Sequence, residues 1–222
     1  MATKKVTTNK KAIAAKPAAK KVISKKKIAA EKPQPIFPEK LKPIEIIEIL
    51  DPHIYPIGKA KQPAEFTDEV LTKLIQDIRI LPEHLKAVAK KINKKKKLQY
   101  SYRDGGWSIE QIIHHIADSH TNAYIRFKLA LTENNPVIKP YDQDLWAETA
   151  DVQLPVKVSI KLLKALHAKW TILLENMDKN DFKRTYTHPE TNRVYSLREV
   201  LALYAWHGKH HVAQIDVALK IN

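Results

Sequence analysis

The sequence predicts an all-α protein, an antiparallel bundle of four long helices behind a disordered, basic N-terminal tail. Three observations carry that expectation. Apolar residues recur at helical spacing in four separate stretches. Two serines stand three residues ahead of Gln or Glu, the pattern of a capping box. Almost no stretch alternates with the period of a strand. At 222 residues the chain has room for one domain of ordinary size plus an appendage, and it contains no internal repeat.

Charge locates the appendage. Of the net +15, residues 1–43 hold 13 Lys against two Glu, a balance of +11, which leaves +4 for residues 44–222. Lysine runs such as Lys25-Lys26-Lys27, interspersed with Ala and with Pro17, Pro33, Pro35, Pro38 and Pro43, bury too little apolar surface to offset their ordering entropy. Residues 1–45 are therefore expected to be a disordered tail and linker, with the folded domain over 54–222. The charge of residues 1–43 suits non-specific contact with nucleic acid through counterion release. It equally suits a solvated solubility tail. Phe37 is the one aromatic residue among the lysines, so base stacking is not indicated.

The elements follow in order. Thr67 or Asp68 caps a first helix from Glu69 to Lys91, striped by Val70, Leu71, Leu74, Ile75, Ile78, Leu81, Leu85 and Val88, with Pro82 expected to bend or break it. A basic link, Lys94 to Lys97, leads to Gly105-Gly106, and Ser108 with Gln111 opens a second helix running to about Glu133. Pro136 and Pro140 start an irregular loop that holds Tyr141, Asp142 and Trp146. Val158 to Met177 forms the third helix on Ile160, Leu163, Leu166, Trp170 and Leu173. Residues 180–195 read as a loop or a short hairpin around Thr187–Glu190. Ser196 with Glu199 then starts the last helix, through about Leu219.

Composition narrows the chemistry. With no cysteine there is no disulfide, no thiolate ligand and no cysteine nucleophile. Any metal must be held by His, Asp or Glu, and any thiol must come with the substrate. There is no secretory apolar core and no run of 18 uncharged apolar residues, so a cytoplasmic protein without membrane contact is expected.

Five of the ten histidines fall in His114-His115 and in His207-Gly208-Lys209-His210-His211. His207 and His211 lie one helical turn apart, which sets their β-carbons roughly 5–6 Å apart on one face. His115 follows Ile112 on the stripe continued by Ile116, Ala123 and Phe127, whereas His114 shares a face with Glu110, Gln111, Asp118 and Thr121. His115 is thus the inward histidine and His114 the solvated one, within hydrogen-bond reach of Asp118. On the last helix His207, His211 and Ile215 share a stripe and His210 lies on its flank. Three neutral imidazoles need partners in a core, and a metal satisfies three acceptors at once. His53, His84 and His167 read as surface or loop histidines. His120 is either a group supporting a ligand or a helix-surface residue, and His188 either lines the site mouth or only makes a turn.

These residues carry a resemblance. Tyr55-Pro56-Ile57-Gly58, Tyr102 through Ser108, His114-His115-Ile116-Ala117-Asp118-Ser119-His120, Arg126 through Glu133, Ile138 through Asp142 and Leu203 through His211 closely resemble the YfiT-type metal-dependent hydrolases of the DinB superfamily, in order from about 54 to 217. The resemblance implies a four-helix bundle holding one divalent metal ion per subunit, zinc or nickel, through His115, His207 and His211. It also implies a homodimer, a small-molecule substrate and hydrolysis by an activated water. Other branches of the superfamily carry out S-transfer with a low-molecular-weight thiol, bacillithiol or mycothiol. Gln214 departs from the family pattern, standing where many relatives have a further His, outside the three ligands. Asp118 is then either a catalytic base or orienting group, or a surface carboxylate. Arg126 suits a carboxylate-bearing substrate at the pocket mouth, and Trp107 either shapes that mouth or packs the helix start.

Overall fold

A computed structural model describes residues 50–92 and 95–222; the expectations for residues 1–45 lie outside the described residues. The Thr67 hydroxyl accepts the Val70 N–H at 3.2 Å and opens helix α1, Asp68–Lys91. The Ser108–Gln111 capping box opens α2, Ile109–Thr132, with both of its hydrogen bonds made. A four-residue helix, α3 (Gln143–Trp146), sits in the connection that follows, capped by Asp142. Helix α4 spans Lys157–Glu175. A two-stranded antiparallel hairpin, β1 (Thr185–His188) and β2 (Arg193–Ser196), precedes α5, Leu197–Ile221. Glu199 accepts both the backbone N–H and the hydroxyl of Ser196, at 2.8 and 2.6 Å. The hairpin thus falls in the stretch read as a loop or hairpin and runs one residue past it, and the loop after Pro140 contains α3 and a short 3-10 helix, Ala150–Gln153.

Pro82 does not break α1, which continues for more than two turns beyond it. The ring only withholds the N–H that position 82 would give to the carbonyl of Ile78.

The four long helices pack in the cyclic order α1, α4, α2, α5. Side-chain contacts give their directions. Asp68 meets Lys179 and Glu83 meets Lys164, so α1 and α4 are antiparallel. His115 meets His211 and His120 meets His207, so α2 and α5 are antiparallel as well. Across the other two faces, Phe66 with Arg198 and Asp77 with Lys209 set α1 parallel to α5. His120 with His167 and Phe127 with Trp170 set α2 parallel to α4. A parallel neighbour needs a connection as long as the helix itself. Residues 133–156 supply that return past a helix of about 36 Å.

The core is divided. Ile78, Phe127, Trp170, Leu201 and Tyr204 belong to one buried apolar cluster, and Leu85, Ile112, Ile116, Leu163 and Ile215 to a second. Along α2, α4 and α5 the gap between the clusters is filled by His120, His167, His207 and His211. This polar layer crosses the middle of the bundle.

Helix α5 meets α1 closely at the same level. A Cβ on Gly208 would lie 2.5 Å from Leu81 Cδ2, and Leu81 is itself buried. Gly208→Ala gains about 1 kcal/mol of helix propensity but forces this contact, at a typical overpacking cost of about 1–3 kcal/mol. The clash is expected to win, so that the variant unfolds at lower urea concentration than the parent with an unchanged slope.

Candidate metal centre

Two helices bring three imidazoles to one point. His115 from α2 and His207 and His211 from α5 place one nitrogen each within 4.8 Å of the others. His207 Nε2 lies 3.3 Å from His115 Nε2 and 3.2 Å from His211 Nε2. Nitrogens bound at about 2.0–2.1 Å in tetrahedral array stand about 3.3 Å from one another, so the spacing is that of ligands around an ion. Burial holds all three imidazoles neutral: the His115 ring is pushed down to about 4, and those of His207 and His211 well below their ordinary range, with the neighbouring histidines adding to the effect.

The Gln214 side chain orients one of them. Its Nε2 donates to the Ile54 carbonyl at 2.9 Å, so its Oε1 faces His211 Nδ1 at 2.8 Å. That oxygen can only accept. The His211 proton therefore sits on Nδ1 and Nε2 keeps its lone pair for the shared point. The glutamine, outside the three candidate ligands, thus contributes to the centre. It also ties the segment ahead of α1 to α5, as Trp206 Nε1 does by donating to the Gly58 carbonyl at 3.2 Å.

Two expectations about histidines are overturned. His114 is buried, because the residues after α3 fold over that face of α2. Its Nε2 donates to the Leu154 carbonyl at 3.0 Å, and its Nδ1 accepts the Ser159 hydroxyl at 2.8 Å, so it fastens α2 to the start of α4. His167 is buried too, since α4 turns it toward α2 rather than to solvent. Its ring stacks on His120, which is fully buried directly behind His207, with His120 Nε2 3.2 Å from His207 Nδ1. His210 is also buried and stacks on Trp206, while His53 and His84 are exposed.

Two cavities adjoin the three nitrogens, and His207 and Gln143 line both. The larger, 780 Å³, is lined by all three histidines together with Trp107, Tyr55 and Gln111. Trp107 lies against His115, ring centres 4.5 Å apart, and it reaches that position because Gly105, at φ +63°, turns the chain just ahead of α2. The smaller, 510 Å³, is lined by Ser119, Arg126, Tyr141, His188 and Tyr204, and also by Asp142 and Glu190. Arg126 is buried, its guanidinium 6.0 Å from the centre of the Tyr141 ring, and no carboxylate pairs with it among the described residues. His188 reaches this cavity because β1 is held to the α2–α4 connection, with Thr187 N–H donating to the Pro136 carbonyl at 2.9 Å. The His188 Nδ1 is buried without a hydrogen-bond partner. Asp118, half-buried one turn after His115, lines neither cavity. Burial, and then the charge of Asp151, raise its carboxyl to about 6.

Comparison with known proteins agrees with this architecture. The model of the DinB superfamily matches residues 75–215. A relative from Oceanobacillus iheyensis, provisionally named a metal-dependent hydrolase, is 48% identical over 166 residues, covering 75% of this chain and 95% of its own. A similarly named relative from Bacillus cereus is 47% identical over 161 residues, covering 72% and 92%. Among solved structures, YfiT from Bacillus subtilis, described as a probable metal-dependent hydrolase with an unusual four-helix bundle topology, superposes with a TM-score of 0.74 at 40% identity, covering 77% of this chain and 98% of that one. A mycothiol-dependent maleylpyruvate isomerase shares the fold at a TM-score of 0.53 and 14% identity, covering 68% of this chain and 66% of its own. With the fold, the histidine centre and these matches together, the chain belongs to the DinB superfamily.

Proposed function

We propose that the protein is a metal-dependent hydrolase in which His115, His207 and His211 hold one divalent ion, zinc or nickel, through Nε2. The observation that carries this reading is the convergence of three neutral imidazoles, two buried and one half-buried, at ligand spacing on the wall of a cavity. Neutral nitrogen donors suit zinc and nickel, and three protein ligands rather than four are the pattern of catalytic sites. When bound, such an ion supplies Lewis acidity, acidifying a water brought to it and polarising a substrate carbonyl.

The chain's own residues do the rest. Trp107 forms the cavity wall beside His115. Arg126, a buried guanidinium facing the cavity on the other side of His207, is placed to anchor the carboxylate of a small-molecule substrate, with His188 as a further polar contact. Asp118 has its carboxyl raised to about 6, but it lines neither cavity, so in this reading it acts from outside them as an orienting carboxylate and does not itself take the proton. Among the described residues no helix is long and apolar enough to cross a membrane. The family resemblance supports a homodimer.

Protons compete with the ion for the ligands and with burial for the other histidines. His167 has its ring depressed from the ordinary 6.5 to about 4. A base held below its unfolded value contributes stability above pH 6.5 and loses it as pH falls toward 4. At about 1.4 kcal/mol per pH unit, this one buried ring accounts for about 3 kcal/mol. Asp118 works in the opposite direction, but it is half exposed to screening and stands alone against several buried imidazoles.

Four outcomes are expected. His115→Ala, His207→Ala and His211→Ala each abolish binding of one equivalent of zinc, read by elemental analysis of untagged protein, while the helical circular dichroism persists. The metal-free protein loses thermal stability as pH is lowered from 6.5 to 4, followed by differential scanning calorimetry. On ester or amide substrates bearing a carboxylate, Arg126→Met lowers kcat/KM by about 10- to 100-fold, chiefly through KM, as expected for a lost charge-assisted hydrogen bond. Asp118→Asn leaves kcat within a few-fold of the parent and zinc stoichiometry unchanged, because this carboxyl reaches neither cavity. Turnover seen only with a thiol plus an electrophile would replace hydrolysis by S-transfer to a low-molecular-weight thiol.

A further inference from the structure

From the ligand His207 runs a line of three imidazoles, its own included, that ends on a backbone oxygen. His207 Nδ1 lies 3.2 Å from His120 Nε2, His120 Nδ1 lies 3.0 Å from His167 Nε2, and His167 Nδ1 lies 2.5 Å from the carbonyl of Ile78. That carbonyl is available because its usual partner, the N–H four residues on, belongs to position 82, where the residue is proline.

We propose that Pro82, His167 and His120 are positioning residues for the metal centre: the proline frees the Ile78 carbonyl, and the imidazole line that starts there fixes the His207 proton on Nδ1 and leaves Nε2 bare toward the ion. This inference rests on the ligand role given to His207 above.

Counting protons gives the direction. The carbonyl can only accept, so His167 carries its proton on Nδ1. Three neutral rings have three protons for three hydrogen bonds, one per bond. With His167 Nε2 bare, His120 donates from Nδ1, and with His120 Nε2 bare, His207 donates from Nδ1. A fourth proton would place a cation in this line. His120 and His167 are 0% and 1% exposed, and they lie against the Trp170 and Tyr204 rings with no carboxylate in the line, where an unpaired charge is costly. The polarity is not a default, because an isolated neutral histidine favours the Nε2–H form. It is the polarity that Gln214, anchored on the Ile54 carbonyl, imposes on His211. Two ligands on α5 are thus set by two separate carbonyls, one through an amide and one through two imidazoles.

The parallel with Gln214 supplies the test. His167→Gln keeps a donor for the Ile78 carbonyl and an acceptor for His120, while His167→Met keeps neither. In His167→Met, zinc affinity measured by competition with a chromophoric chelator should fall by roughly 10- to 100-fold, the range for lost outer contacts of a ligand. His167→Gln should stay within a few-fold of the parent. Independently, long-range ¹H–¹⁵N spectra of histidine-labelled, metal-free parent protein should show Nδ1–H forms at 120, 167 and 207. Parent-like zinc affinity in His167→Met, or Nε2–H forms at His120 or His207, would overturn the inference. Should His167→Met fail to fold, the parent spectra decide. If the parent binds no zinc, the hydrolase reading fails, and the tautomers still report on the line.

Discussion

Imidazole nitrogens that face one another across hydrogen-bond distance need something positive between them. In this bundle the Nε2 atoms of His207 and His211 are 3.2 Å apart, and His115 completes the group. Gln214 holds the His211 proton on the far side of the ring. The rest of the central layer can be understood as keeping that group of lone pairs intact inside a protein core. Packed helices cover them on one side, and on the other they border the cavity that Trp107 lines. Their protonation is opposed by burial.

The bundle accommodates this layer by dividing its hydrophobic core. One apolar cluster gathers around Phe127 and Trp170, the other around Ile112, Ile116 and Leu163, and the histidines separate them. A polar belt through a core is tolerable only when each member finds a partner. The partners come from backbone left free by local sequence: the Ile78 carbonyl, exposed by Pro82, and the Ile54 carbonyl, in the irregular segment ahead of α1. Gly208 lets α5 approach Leu81 at the same height. These features lie far apart in sequence and act on one layer.

Function then follows from which side of the layer opens. The three nitrogens border a cavity lined by Trp107, and His207 also borders a second that holds Arg126 and His188. A buried guanidinium without a carboxylate partner is costly in the free protein and valuable once a substrate anion meets it. The family membership and the histidine centre together point to chemistry at an activated nucleophile, and the arginine points to the kind of molecule brought to it.

Periodicity and capping made the helices legible from the chain alone. The Ser108–Gln111 and Ser196–Glu199 pairs mark helix starts that the hydrogen bonds reproduce, and the 3.6-residue stripe put His115, His207 and His211 on inward faces, since both signals act within a few residues. The outer partners were less readable. His114 sits on a face that is polar by sequence, yet Leu154 and Ser159 cover it. His167 falls on the stripe of Ile160, Leu163 and Trp170, a local sign that it turns inward, but its hydrogen-bond partners come from α1 and α2. Gln214 looked like a mere departure from a family pattern, and Pro82 like a helix interruption. Each acquires its role from a partner 40 to 160 residues distant, or from a group with such a partner. Short-range pattern therefore determined which helices form and which way their ligands turn. Only the packing of four helices brought up the distant acceptors that place the proton on His114, His167 and His211.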